Sequence, residues 1–223
     1  MITIHHLEDS RSQRLLWLLE ELGADYEIRR YERDPKTMLA PESLREVHPL
    51  GNSPVIEEDG RVVAESGAII EYLIGRHGGG RLIPPADSDE RLRYTYWLHY
   101  AEGTLMPLFV MGLVFGRLSQ PPMPLLLRPV GGLIGAGVRK SFIEPRMKQN
   151  LGFIEEELGR SPWFAGEELS GADVQMSFPL EAAVARGGVG DACPRIRAFV
   201  ERVHARPAYR RALERGGPYS YAG

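Results

Sequence analysis

The sequence predicts an α/β unit followed by an all-α unit. Three observations carry this: a strand-helix-strand opening, an Asp-Gly hairpin before the next helix, and the loss of any strand pattern beyond Asp89. Ile2, Ile4 and Leu7 mark a short first strand. From Ser10 the spacing changes: Leu15, Leu16, Leu18, Leu19 and Leu22 form a helical stripe that Gly23 closes. Tyr26, Ile28 and Tyr31 then alternate with Glu27, Arg29 and Arg30, a second strand bounded by Pro35. A short helix is expected before the third strand.

Residues 54–57 and 61–64 flank Glu58-Asp59-Gly60, a hairpin signal because glycine accepts positive φ without steric cost. Ser66 opens a helix whose Ile69, Ile70, Leu73 and Ile74 share one face, with glycines at its end. This places an α/β domain at residues 1–78, a Gly/Pro-rich linker at 79–88 and a helical domain at 89–223. Helical patterns run over about 90–117, 139–158, 172–186 and 194–204, with a short one after Pro207. Residues 118–138 are rich in proline and glycine yet apolar, and a packed irregular insertion or broken helix is expected there.

With 223 residues, 43% of them hydrophobic, the chain is long enough for a sizeable core. Its formal net charge of -3 offers nucleic acid or an anionic membrane no overall attraction, so small organic ligands are the expected partners. The single cysteine, Cys193, excludes an intrachain disulfide framework and fits a reducing compartment. The opening MITIHHLEDSR lacks a basic segment followed by an apolar one, and a cytoplasmic location is expected. The apolar run Leu105 to Phe115 is short of the ~20 residues that cross a bilayer, so it is assigned to a buried helix or a pocket wall.

Several candidate features have structural readings. The glycines of 131–137 follow no strand and so do not form a phosphate loop. Adjacent residues on a strand face opposite sides, so His5 and His6 do not converge, and no metal site is expected. The arginines of 195–215 alternate with Glu201 and Glu214 as a solvated face. Ser170-x-x-Asp173 is a capping box.

Three further features fit a ligand better. Ser10 stands where a strand meets a helix N-terminus, a place that either caps the helix or favours an anion. Asn52-Ser53-Pro54 puts a proline at a strand's first residue, or in cis, where neighbouring backbone groups are left free. Glu65-Ser66 sets a carboxylate beside a helix N-terminus, suited to an ammonium and a carboxylate respectively. Together these would hold a zwitterionic amino-acid head group.

These features, with the phrases SRSQRLLWLLEELG, HPLGNSPVI, AESGAIIEYL and LSGADVQMSFPL, resemble the cytosolic glutathione S-transferases of serine type, particularly a fungal and bacterial subgroup. The resemblance spans nearly the whole chain. It implies a thioredoxin-like N-terminal domain holding glutathione, a helical domain lining a co-substrate pocket, and a homodimer. By position, Ser10 would donate its hydroxyl hydrogen to the glutathione sulfur, with Ser12 a second candidate. Arg14 would anchor the first helix. Pro54 would be in cis, and the Ser53 backbone would pair with the cysteinyl part. Glu65 and Ser66 would bind the γ-glutamyl end, and Asn52 stands where the family often has glutamine or lysine. Lys36 and His48 are candidates for the glycyl carboxylate.

The co-substrate implied is a small hydrophobic electrophile or an organic hydroperoxide. Tyr96, Tyr100, Met106, Phe109 and Met111, on the first long helix of the second domain, are candidates for its pocket. Two alternatives stand beside this: reduction of disulfides by bound glutathione without a protein cysteine, and a noncatalytic binding module.

Overall fold

The computed structural model describes residues 1–35 and 37–222. Strands β1 (Ile2–Leu7), β2 (Tyr26–Tyr31), β3 (Val55–Glu58) and β4 (Arg61–Ala64) form one sheet in the order β2-β1-β3-β4. β1 runs parallel to β2 and antiparallel to β3, which pairs antiparallel with β4. The hairpin between β3 and β4 turns at Asp59 and Gly60, whose φ angles of 51° and 75° are both positive, as a tight two-residue turn requires. β3 begins one residue later than the spacing predicts, because Pro54 has no amide hydrogen to give to the ladder.

Helix α1 (Ser12–Leu22) connects β1 to β2 and ends at Gly23 with φ 67°. Leu15 through Leu19 are all buried, because the helix packs between the sheet and helices of the second half. After α2 (Leu44–Val47), α3 (Ser66–His77) completes a thioredoxin-like unit. Residues 78–88 hold no helix or strand, and from Asp89 onward every regular element among the described residues is helical. These are α4 (Asp89–Tyr100), α5 (Met106–Gly116), α6 (Arg128–Val138), α7 (Glu144–Glu157), α8 (Gly171–Ala185), α9 (Pro194–His204) and α10 (Pro207–Gly216).

α8 is the central post of this half: its residues 171–183 are all buried, against α1, α3 and α4 among others. Its start is held by the Asp173 carboxylate, which accepts from the amides of Ser170 at 2.8 Å and Phe164 at 2.7 Å and from the Ser170 hydroxyl at 2.9 Å. Burial nevertheless pushes its pKa up to about 6.

Two expectations are refined: the stretch 118–138 takes the broken-helix alternative, and the apolar run from Leu105 to Phe115 takes the pocket-wall one. Residues 118–138 are irregular only in part: beyond short 3-10 turns at 117–119 and 125–127, residues 128–138 form the regular helix α6. Its glycines cost helix propensity, yet Gly131 and Gly135 lie so close to the Leu118 and Phe115 carbonyls that a Cβ on either would run into those oxygens. The run Leu105 to Phe115, too short by itself to cross a bilayer, belongs to a continuous 31-residue helical segment, Asp89–Ser119, that is long and apolar enough by length and composition alone. Tyr94, Trp97 and Leu98 fix the first part of that segment in the core.

Candidate active site

The turn from β1 into α1 builds the centre of the site. Asp9 adopts a left-handed conformation, φ 44°, which directs the chain out of the sheet and into the helix. Ser10 follows. Its Oγ donates to the Leu7 carbonyl at 2.8 Å, lies 2.8 Å from Ser12 Oγ, and accepts from the Ser12 amide at 3.2 Å. Ser10 therefore caps the helix and also presents a hydroxyl to a cleft, the two roles the sequence leaves open.

Ser12 stands behind it, fully buried, with its Oγ 2.8 Å from His6 Nδ1. Burial, seconded by the charge of Arg30, pushes the His6 pKa down to about 4, and a hydrogen bond to the Gly216 backbone opposes this only in part. His6 is thus neutral near pH 7. With the ring donating to the Gly216 carbonyl, Nδ1 is left to accept from Ser12, which can in turn accept from Ser10. His5 points to the other side of the sheet, within 2.8 Å of both Glu57 and the Tyr31 hydroxyl.

Ser10 opens onto a cavity of about 880 Å³ bounded by the β1–α1 turn, the segment before β3, the start of α3, α5 and α8. Asn52, Ser53 and Pro54 line one side. The Ser53–Pro54 peptide is cis, and the β1–β3 ladder ends at His5–Val55, so Ser53 lies beyond it; its hydroxyl donates to the His5 carbonyl at 2.9 Å. Glu65 and Ser66 line the cavity at the first turn of α3. Glu65 sits at φ 71°, a region unfavourable for a residue with a Cβ, and among the described residues neither its carboxylate nor the Ser66 hydroxyl has a hydrogen-bond partner. A carboxylate and a free helix N-terminus are thereby held open side by side.

The opposite wall is apolar. Met106, Phe109, Val110, Leu113 and Val114 face the cavity from α5, and Phe178 faces it from α8. Polar groups interrupt this wall at Arg117, Arg186 and Glu102. Arg14 is fully buried, donating to the Gln175 carbonyl at 2.6 Å and to Glu102, which also pairs with Arg11 at 3.0 Å. It ties α1 to the helical half. Asp9 in turn accepts from the amide and hydroxyl of Ser220, at 2.8 and 2.7 Å, which brings Tyr221 to the rim.

Of the residues singled out from sequence, Ser10, Asn52, Ser53, Pro54, Glu65, Ser66, Met106, Phe109 and His48 line this one cavity. Ser12 does not. Tyr96 and Tyr100 are placed elsewhere, on a separate cavity of about 290 Å³ with Phe153, and Met111 lines neither. At about 100° per residue Tyr96 and Tyr100 lie roughly 80° or more around the helix from Met106 and Phe109, and a π-helical turn at Ala101–Leu105 shifts the phase further. Lys36 lies outside the described residues. Cys193 is remote from the cavity at the start of α9, where burial raises its thiol pKa. No group of three or more metal-ligating side chains occurs among the described residues.

Asp9, Arg33, Glu102, Arg117, Arg186 and Tyr221 were not foreseen at the site. The acid directly before Ser10 was the one available signal, since a short polar residue tolerates the left-handed turn that Asp9 makes. The others come from distant segments.

Comparisons with known proteins bear on the fold and the family. Residues 10–75 match the model for the glutathione S-transferase N-terminal domain and residues 143–207 the C-terminal one. Glutathione S-transferase 3 of Schizosaccharomyces pombe is 34% identical over 215 residues, covering 96% of this chain and 88% of its own. Glutathione S-transferase 1 of Saccharomyces cerevisiae is 32% identical over 193 residues, covering 83% and 82%. A crystal structure of a glutathione S-transferase from Actinobacillus pleuropneumoniae superposes with a TM-score of 0.79 at 31% identity, covering 100% of this chain and 95% of the other.

Proposed function

The chain belongs to the glutathione S-transferase family and is a glutathione transferase; on that premise we propose that Ser10 holds the glutathione sulfur as thiolate and that α5 presents a hydrophobic electrophile to it. One juxtaposition carries this reading: the Ser10 hydroxyl, the unpartnered Glu65-Ser66 pair and the apolar face of α5 border the same 880 Å³ cavity. Glutathione supplies a matching set of groups. Its γ-glutamyl ammonium pairs with Glu65 and its α-carboxylate with Ser66 and the α3 N-terminus. The cysteinyl backbone lies along Ser53-Pro54, and Asn52 and His48 stand towards the glycyl end.

Activation follows from this placement. A thiol with pKa ~8.5 is about 3% ionised at pH 7, and lowering it by about two units, worth ~2.7 kcal/mol, makes thiolate the major form. The proton leaves to cleft water while the Ser10 O–H turns from the Leu7 carbonyl to the sulfur. Thiolate then forms a C–S bond with an electrophilic carbon as the leaving group departs, or an S–O bond with a hydroperoxide oxygen as the O–O bond breaks, which oxidises glutathione to its sulfenic acid and releases an alkoxide that takes a proton from cleft water.

The less basic thiolate is also less nucleophilic, with a Brønsted slope of ~0.4 to 0.5, so ionisation by itself yields only a few-fold gain. Holding the electrophile against Phe109, Leu113 and Phe178 supplies the larger share, since proximity is worth several kcal/mol. Ser10 acts throughout as a hydrogen-bond donor. A homodimer, a cytoplasmic setting and domain limits at 1–78 and 89–223 complete the reading, the first testable by sedimentation. The decisive test is the ultraviolet thiolate band of bound glutathione: it should titrate below neutral pH in the wild type and near the free value in Ser10→Ala. Equal titration would remove Ser10 from this role.

A further inference from the structure

The acids that line the cavity are all engaged, but two of its cations are not. Asp9 accepts from Ser220, Glu102 pairs with Arg11 and Arg14, and Glu65 is assigned to the γ-glutamyl ammonium. Arg117 and Arg186 line the same cavity, and among the described residues neither pairs with a carboxylate. Their own helices offer none: α5 contains no acid, and of the acids of α8, Asp173 holds the helix start while Glu181 is engaged by His204 and the Tyr219 hydroxyl. A cation at a helix C-terminus is ordinarily accounted for by the helix dipole. These two are set apart by the cavity they border.

The fold brings both to one end of it. Arg117 follows Phe109 by eight residues along α5 and Arg186 follows Phe178 by eight along α8, so each stands about 12 Å beyond an aromatic side chain of the wall. Phe178 marks the thiol end, its ring centre lying 5.9 and 5.8 Å from the guanidinium carbons of Arg11 and Arg14. α8 runs beside α4 in the same direction, with Gly171 against the Tyr94 hydroxyl and, one turn on, Gln175 donating to the Leu98 carbonyl at 3.3 Å. Because α4 continues into α5, both arginines fall at the end remote from Ser10. The surface between is apolar, made by Val110, Leu113, Val114 and Ala182. Arg186 is also held in place: it donates to the Tyr221 hydroxyl, and its guanidinium carbon lies 5.1 Å from the centre of that ring.

Glutathione leaves these cations unanswered, since the residues given to its charged groups, Glu65, Ser66, Asn52 and His48, all belong to the first half. We propose that Arg117 and Arg186 receive an anionic group of the co-substrate, so that the electrophile class served by this site is an apolar chain with a reactive carbon at one end and a carboxylate at the other. This rests on the thiolate reading of Ser10 and names the substrate class for it. A thiolate and an anionic co-substrate repel each other. Two guanidinium groups at the far end hold the carboxylate away from the sulfur and leave the reactive carbon beside it.

The probes are 12-oxododec-10-enoic acid and its methyl ester, which share one unsaturated aldehyde and differ in charge. The glutathione sulfur forms a C–S bond with the β-carbon, and the resulting enolate takes a proton from water. In the wild type kcat/KM for the acid should exceed that for the ester about ten-fold, chiefly through KM, and the ratio should shrink as salt rises. Arg117→Gln/Arg186→Gln should bring the ratio to about one, and Arg117→Lys/Arg186→Lys should restore most of it. A wild-type ratio of one or less, or an unchanged ratio in the glutamine variant, would overturn the proposal. Calorimetric titration of decanoate against decan-1-ol, with S-methylglutathione bound, reads the same preference without a thiolate: decanoate should bind about ten-fold more tightly, and only while both cations are present. The two readings therefore fail separately. Thiol ionisation indifferent to Ser10 with the decanoate preference intact would remove the thiolate role and keep the anion site, whereas normal ionisation with no preference for the acid would remove the anion site alone.

Discussion

The hydroxyl oxygens of Ser10 and Ser12 lie 2.8 Å apart, yet only Ser10 reaches the cavity. Ser12 is held from behind by His6, so the two serines have separable roles. Ser10→Ala should lower kcat/KM roughly 10- to 100-fold, the worth of a hydrogen bond to a charged group at about 1.5–3 kcal/mol, and cost about 1 kcal/mol of stability through the lost cap of α1. Ser12→Ala should leave the bound thiol ionised but cost about 1–3 kcal/mol of folding free energy, because His6 Nδ1 loses its donor. Thiolate titration together with denaturant unfolding separates the two cases. A raised thiol pKa in Ser12→Ala alone would reverse the assignment.

His6 and Asp173 oppose each other in their pH dependence. The folded pKa of His6, about 4, lies below its unfolded value of 6.5, so the unfolded state binds more protons between those values and stability falls as pH drops from 6.5 to 4. The folded pKa of Asp173, about 6, lies above its unfolded 3.8, so its contribution grows as pH drops over nearly the same interval. Each effect amounts to roughly 3 kcal/mol. His6→Asn should therefore make the protein relatively more stable in acid than the wild type, and Asp173→Asn relatively less. Unfolding free energies at pH 4.5 and 7 would show the two slopes, and parallel profiles for the three proteins would contradict this.

Glu65 combines a strained backbone with an unpartnered carboxylate. Replacing it with glycine relieves the positive φ and should leave the melting temperature unchanged or raise it, a gain of about 1 kcal/mol. Glutathione should then bind about ten-fold more weakly, because the γ-glutamyl ammonium loses its counter-ion. Glu65→Gln should weaken binding similarly while retaining the strain. Calorimetric titration and thermal unfolding of the two variants test both halves of the argument.

Two glycines in one helix predict opposite outcomes. Gly137→Ala adds a methyl group into open space and should stabilise the protein by up to ~1 kcal/mol through helix propensity. Gly135→Ala gains the same propensity but drives a Cβ into the Phe115 carbonyl, so α6 must lift from α5 and the net effect should be destabilising. Denaturant midpoints of the pair measure the difference directly.

What the sequence discloses follows the range of the interactions involved. Gly23, the Asp59-Gly60 turn and the isoleucines of α3 specify their elements through near neighbours, and Ser10, Ser53 and Glu65 were legible because each sits at a junction between elements. Tyr96 and Tyr100 share the long helix with Met106 and Phe109 but not their face, and which face meets the cavity is decided by how the helix docks on the first half. The tie from Asp9 to Ser220 and the fit of Gly135 against Phe115 join segments far apart in the chain, and nothing local signals them. The regular course of α6 within the expected broken helix was hidden for a related reason: the backbone that its glycines approach is not local to them.

Arg14 belongs to the helix that starts at the thiol site, but its guanidinium is engaged by Glu102 and by the Gln175 carbonyl in the other half of the molecule. With no solvent within reach, this cation has no tolerable state once its carboxylate is lost. The two halves are consequently not interchangeable modules. A chimera grafting this glutathione-binding half onto a relative's helical half inherits a buried uncompensated charge unless an acid equivalent to Glu102 comes with the graft, so recombination within the family is constrained to exchange these positions together.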